Sequence, residues 1–271
     1  MIDIKDLRIR DPFVLKEAGT YYLYSNGVKK DGRLTIVSYP SIDMKTFDDP
    51  VDILGNHEYG RYTDFWAPEV IKYHDRFYLV MTMSDQSGHR GSYIFVGDGP
   101  LGPFHRHGDG LITPKDMMCL DGHIFVDNDQ PYLLFCHEWL ECVDGGIMIA
   151  KLSGDLTKIV GEVTTLFVAS SAPWTVPLVG NSYVTDGPFI YKKDKVYHML
   201  WSSFSRHGYA LGYAYSDKLL GPWKHQNEPI YDNDGGHGMV FTHEQGQKII
   251  IHSPNIRDER ALLLDMVAIG L

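Results

Sequence analysis

Scarcity narrows this chain of 271 residues before any motif is read. Cysteine is rare: Cys119, Cys136 and Cys142 are an odd number without metal-ligand spacing, which excludes a disulfide framework and leaves reduced, partly buried thiols. No uninterrupted run of about 18 apolar residues occurs, so no membrane-spanning helix is encoded. Positive charge is in the minority, with 25 Lys and Arg against 35 Asp and Glu, and the charges are scattered rather than grouped in blocks. That pattern speaks against nucleic acid or an anionic membrane as partner and favours an uncharged ligand. The N-terminal Met1-Ile-Asp-Ile-Lys-Asp-Leu7 has no apolar stretch of the kind an export signal needs, which sets the cytoplasm as the expected compartment. Helical periodicity is not sustained over any window of about 11 to 18 residues.

What the chain has in quantity is short strands and turns. Runs such as Tyr21-Tyr-Leu-Tyr24, Phe77-Tyr-Leu-Val80 and Lys248-Ile-Ile-Ile-His252 alternate with Gly, Asp, Asn and Pro. One two-strand phrase returns five times. Asp11-Pro-Phe-Val-Leu15 leads to Tyr22, Ala67-Pro-Glu-Val-Ile71 to Tyr78, Asp121-Gly-His-Ile-Phe125 to Tyr132, Asp186-Gly-Pro-Phe-Ile190 to Tyr197, and His237-Gly-Met-Val-Phe241 to Lys248. Each opening lies 11 residues before its second run, and the openings recur at intervals of 56, 54, 65 and 51 residues, which suits propeller blades. The fold expected is all-β: a five-bladed β-propeller spanning residues 1–271 as a single domain. Its last strands are short, so the N-terminal segment is expected to complete the fifth blade. Leu101-Gly-Pro-Phe104 and Leu220-Gly-Pro-Trp223 predict tight turns into outermost strands, with the aromatic ring buried between blades. The long connection from 161 to 183 contains Ser170-Ser-Ala-Pro-Trp174, a candidate loop at a pocket rim.

Topology says which residues share a face. An antiparallel pair brings the start of its first strand beside the end of its second, so the five openings gather with Ser84, Glu138, Ser203, Pro254 and their neighbours Trp139, Ser202 and Asn255. Three openings are aspartates: Asp11, Asp121 and Asp186. An aspartate before Gly or Pro often does no more than cap a turn. Three in one repeated slot, converging on one axis, form instead a pocket of carboxylates. Two carboxyl groups across a pocket can cleave a glycosidic bond, one giving a proton to the leaving oxygen and one activating water, at a span of about 6.5–9.5 Å for inversion. A third anion beside the donor raises the donor's pKa and keeps it protonated near neutrality.

These residues resemble glycoside hydrolase family 43, the five-bladed propeller glycosidases that invert. The resemblance rests on Arg10-Asp-Pro-Phe-Val14, Trp66-Ala-Pro-Glu69, Asp121-Gly-His-Ile-Phe125, Gly187-Pro-Phe189 and Leu220-Gly-Pro-Trp223, in this order along nearly the whole chain. It implies Asp11 as general base and Asp121 as the residue that tunes the acid. The departure is at the acid, where the family usually has Glu before Gly-Pro and this chain has Asp186, one methylene shorter. Asp186 is the favoured donor and Glu138 the rival. The resemblance also implies that His237 faces an axial calcium held largely by water, with no cofactor needed for the chemistry, and that Arg260 reaches the pocket. Trp66 and Trp139 are the indoles expected to stack on a sugar ring. The partner expected is a small neutral oligosaccharide. The activity expected is exo-acting α-L-arabinofuranosidase, with β-xylosidase, an arabinan or galactan side-chain hydrolase and a non-catalytic sugar-binding propeller as alternatives.

Overall fold

In the computed structural model, which describes residues 1–55, 59–267 and 269, the first hairpin shows how the phrase folds. Phe13–Glu17 pairs antiparallel with Thr20–Val28. The two residues between them, Ala18 and Gly19, both have positive φ (49° and 85°), the twist that a two-residue hairpin turn demands. Leu34–Ser41 and Val51–Asp52 extend this sheet outward to make blade 1. Blades 2 to 4 repeat the order from axis to rim, with inner strands Thr63–Tyr73, Cys119–Asp127 and Asp186–Lys193. Blade 5 holds Gly236–His243, Gly246–Ser253 and Arg260–Asp265.

Each inner strand touches the inner strand of the next blade, and the fifth touches the first, so the ring is closed. The N-terminal segment does complete the fifth blade. Arg8 forms an antiparallel bridge to Arg260, and the Ile9 amide donates to the Glu259 carbonyl at 3.1 Å.

Apolar side chains fill the spaces between sheets. Between blades 3 and 4, Trp201 is fully buried against Phe167 and Trp174, with ring centroids 5.2 and 5.1 Å apart. Each such buried side chain contributes about 1.5–3 kcal/mol relative to exposure. Phe104 and Trp223 are buried immediately before the outermost strands His105–Leu111 and Lys224–His225, as the turn motifs predict. The Phe104 amide also donates to the Ile53 carbonyl at 2.8 Å, tying blade 2 to blade 1.

Candidate active site

Every inner strand carries a backbone kink near its start. Residues Asp11, Ala67, Asp121, Gly187 and His237 have φ of 48°, 45°, 57°, 50° and 51°. In blades 2 to 5 the pairing register jumps there, as a β-bulge requires. This corrects the sequence alignment of blade 4. The kink falls on Gly187, and Asp186 stands one residue earlier, level with Trp66, Leu120 and Gly236 and paired with Ser202. The signal lay in the prolines: Pro12, Pro68 and Pro188 each follow a kink residue, so alignment on proline puts Gly187 in the shared slot. A side chain is barred at that glycine, because a Cβ there would lie 2.8 Å from the His237 ring.

The kinks also hold the carboxylates. Each kinked amide is caught by the preceding blade: Asp11 N–H by His252 Nδ1 (3.2 Å), Asp121 N–H by Thr82 Oγ1 (2.8 Å), and His237 N–H by Ser202 Oγ (2.8 Å). In the two slots without a polar side chain, the amides serve the acids. Ala67 N–H donates to the Asp11 carboxylate, and Gly187 N–H donates to Asp121 Oδ2 at 2.8 Å. Among the described residues no such amide reaches Asp186; Tyr209 Oη donates to its Oδ2 at 3.1 Å.

One cavity of about 420 Å³ is lined by Asp11, Asp121, Asp186, His237, Glu138, Trp66 and Trp139. The structure therefore brings together every site residue expected from the sequence except Arg260. That side chain bonds Asp258 at 2.5 Å, outside the cavity wall, because its strand is taken up by the bridge to Arg8. The arginines on the wall are Arg10 and Arg90. Arg10 Nη1 donates to the Asn255 carbonyl at 2.5 Å, and its Nε lies 3.8 Å from Asp11 Oδ1. Arg90 binds Glu138, reaches Asp64 at 3.1 Å and lies over the Trp66 ring at 4.5 Å. Arg90 and Tyr209 sit on third strands, outside the repeated phrase, and His252 closes a second-strand run whose alternation marks it only as a strand residue. From the long connection Leu178 reaches the cavity, as does Val184 just after it, while Trp174 turns inward onto Trp201.

The electrostatics divide the acids. Burial would raise Asp11, but His237 (3.3 Å), Arg10, His252 and the Ala67 amide outweigh it and hold its carboxyl below the usual range. Asp121 and Asp186 are both raised, first by burial and then by the negative charges around them, with His237 opposing. His237 loses stability as a cation through burial, yet the three carboxylates raise it above an ordinary imidazole. His252 is pushed down to about 4 by burial, which keeps it neutral and free to accept the Asp11 amide.

Residues 4–261 match the family described as glycosyl hydrolases family 43. The chain belongs to that family. An endo-arabinase of Bacteroides thetaiotaomicron is 39% identical and superposes with a TM-score of 0.90, covering 97% of this chain and 95% of its own. An endo-1,4-beta-xylanase of the same organism is 27% identical with a TM-score of 0.79, over 96% of this chain and 90% of its own. Among curated proteins, the extracellular endo-alpha-(1->5)-L-arabinanase of Thermotoga petrophila is 25% identical over 250 residues, 84% of this chain. The chain spans about half, 51%, of that relative's length.

As a family 43 member the chain is a glycoside hydrolase, and the axial calcium that this resemblance implies can be tested against its residues. Below His237 the axis is lined by Phe13, Phe189 and Met239 around a space of about 10 Å³, room for one water-sized body and not for a hydrated cation. Glu69 is the carboxylate there besides Asp11, and its Oε2 is engaged by His123 Nδ1 at 2.6 Å. Among the described residues no group of three or more His, Cys, Asp or Glu is arranged to hold a metal. Calcium prefers six or more oxygens, so these residues do not fit it. His237 turns its Nδ1 to Asp11 and Asp121 instead. Among the described residues, no helix is long and apolar enough to cross a membrane.

Proposed function

We propose that this family 43 chain hydrolyses the α-1,5-linked backbone of L-arabinan with inversion at the anomeric carbon. The observation that carries the reading is the convergence of Asp11, Asp121 and Asp186 on one cavity, where His237 at 3.3 Å and Arg10 at 3.8 Å hold Asp11 low and burial holds Asp186 high. Groups separated in this way supply a base and an acid at one pH. Asp11 deprotonates the attacking water. Asp186 gives its proton to the leaving oxygen. Tyr209 occupies Asp186 Oδ2, which leaves Oδ1 to carry the proton. Asp121 is itself pushed up to about 8 by burial, and the Gly187 amide opposes that shift; as the anion it favours the proton on Asp186. Glu138 is a weaker donor candidate, because Arg90 binds it directly and draws it back toward the ionised form against its burial.

Arabinan is favoured over xylan because the 39% identical neighbour is an endo-arabinase and the xylanase is more distant at 27%. The same comparison favours internal cleavage over the exo-acting α-L-arabinofuranosidase expected from the sequence. An exported enzyme fits a polymeric substrate better than the cytoplasmic expectation, and the Thermotoga relative is named extracellular. Debranched arabinan and β-1,4-xylan, read for oligosaccharide products and for the first-formed anomer by NMR, test the reading. The expected result is a ladder of arabino-oligosaccharides with inverted configuration. Release of arabinose alone would restore the exo reading, and a ladder from xylan alone would move the substrate. A retained anomer would refute the two-acid scheme. Binding without turnover would make the chain a sugar-binding propeller.

A further inference from the structure

A second cavity, also about 420 Å³, opens on the far side of the wall made by Arg10 and Trp66, and it shares both residues with the first. It crosses the top of blade 1, between Glu259 on the blade 5 side and Trp66 on blade 2. Its lining suits a neutral, hydroxyl-rich ligand. Asn26 Oδ1 accepts from Ser25 Oγ at 3.3 Å, which leaves the amide N–H groups to donate. Tyr39 offers a phenol without a hydrogen-bond partner among the described residues. The charges present are already paired: Glu259 lies 3.6 Å from Arg8 and 3.7 Å from Arg10. The dividing wall is fixed, because Arg10 is tied to Asn255 and Trp66 lies under Arg90. On the other side of the catalytic cavity the wall is apolar, with Leu140, Leu178 and Phe204.

We infer that this second trough binds the non-reacting end of the same glycan whose scissile bond lies over Asp11 and Asp186, the chain passing across Trp66. The inference rests on the proposed hydrolysis of a neutral pentose polymer and adds where its further units are held. Binding energy gathered there makes long chains better substrates than short ones.

Calorimetry on Asp11→Ala, which keeps the ligand uncut, measures affinity for α-1,5-arabino-oligosaccharides and β-1,4-xylo-oligosaccharides from the disaccharide to the hexasaccharide. Leu34→Trp, from a 43% exposed position in the trough, and Asn26→Ala are added separately to that background. In the parent, affinity is expected to rise about tenfold with length, the equivalent of one or two hydrogen bonds and a stacking face. Both variants should abolish that rise for ligands long enough to enter the trough. No rise in the parent, or the same rise in both variants, overturns the inference. If the unaltered chain leaves arabinan and xylan uncut while the length-dependent binding persists and both variants remove it, the hydrolytic reading falls and the trough stands. Binding of neither series overturns both.

Discussion

In blade 1 the residue at the backbone kink is the carboxylate itself, Asp11, whereas in blade 4 the kink falls on Gly187 and the carboxylate, Asp186, stands one residue before it. The consequence is electrostatic. A carboxylate on a kink faces the next blade and receives its amide, as Asp11 does from Ala67 and Asp121 from Gly187. A carboxylate ahead of the kink receives none and is left to burial and to its neighbours' charge. Asp121 shares the kink and the amide with Asp11 and is nonetheless raised, so it is the cations beside Asp11, His237 at 3.3 Å and Arg10 at 3.8 Å, that complete the separation of a carboxyl held low from carboxyls held high.

The sharpest way to break this comparison is to remove each acid in turn. Asp11→Ala is expected to lower kcat by about 10³- to 10⁴-fold while oligosaccharide binding survives, since general base catalysis is worth about that much. Asp186→Asn should cost about 10²- to 10³-fold on natural linkages and less than about tenfold on aryl glycosides with good leaving groups, which need the proton less. Steady-state kinetics on arabinan and on a nitrophenyl series reads both. Equal losses from Asp186→Asn on good and poor leaving groups would move the proton donor elsewhere, with Glu138 next in line.

The pH profile sharpens the same contrast. In the proposed scheme activity requires Asp11 ionised, so the acid limb is expected to follow a carboxyl held below its ordinary range. The scheme also requires Asp186 protonated, so the alkaline limb is expected to follow a carboxyl held above its ordinary range. Replacing Asp121 by Asn removes a negative charge from beside Asp186 and lowers the acid's pKa. The alkaline limb of kcat/KM is then expected to move to lower pH while the acid limb changes less. An unmoved alkaline limb would separate Asp121 from the tuning role.

Much of this was legible in the sequence, and the limits have physical causes. Five phrases at blade spacing fixed the ring, and three aspartates at the openings marked its chemical end. The phrase misplaced Asp186 by one residue because it was aligned on the carboxylates, whereas backbone geometry follows Gly187-Pro188. Arg90 and Tyr209 lie on third strands whose ends converge on the cavity only after the sheets twist, so no local pattern marks them. The resemblance implied Arg260 as a pocket residue, but its strand is the edge that the N-terminal segment covers.

The kink itself can be tested without touching a carboxylate. Gly187→Ala places a Cβ at φ 50° and 2.8 Å from the His237 ring, so a loss of about 1–3 kcal/mol is expected in urea unfolding. Ala67 already carries a side chain at φ 45°, and Ala67→Gly is expected to change stability by less than about 1 kcal/mol. Equal effects of the two substitutions would mean that blade 4's kink has no special need of glycine.

The smallest effect separates the two arginines at the junction of blades 5 and 1. Arg260 is 30% exposed in a pair with Asp258 that is 70% exposed, and such surface pairs contribute about 0–1 kcal/mol. Arg260→Ala is therefore expected to leave kcat/KM on arabinan within about twofold and stability within about 0.5 kcal/mol. Arg10→Ala removes a cation 3.8 Å from the Asp11 carboxylate together with the bond to Asn255. Its acid limb should shift upward, because Asp11 loses one of the charges that hold its pKa down. A loss from Arg260→Ala as large as that from Arg10→Ala would bring Arg260 back into the cavity and reopen the assignment of the wall.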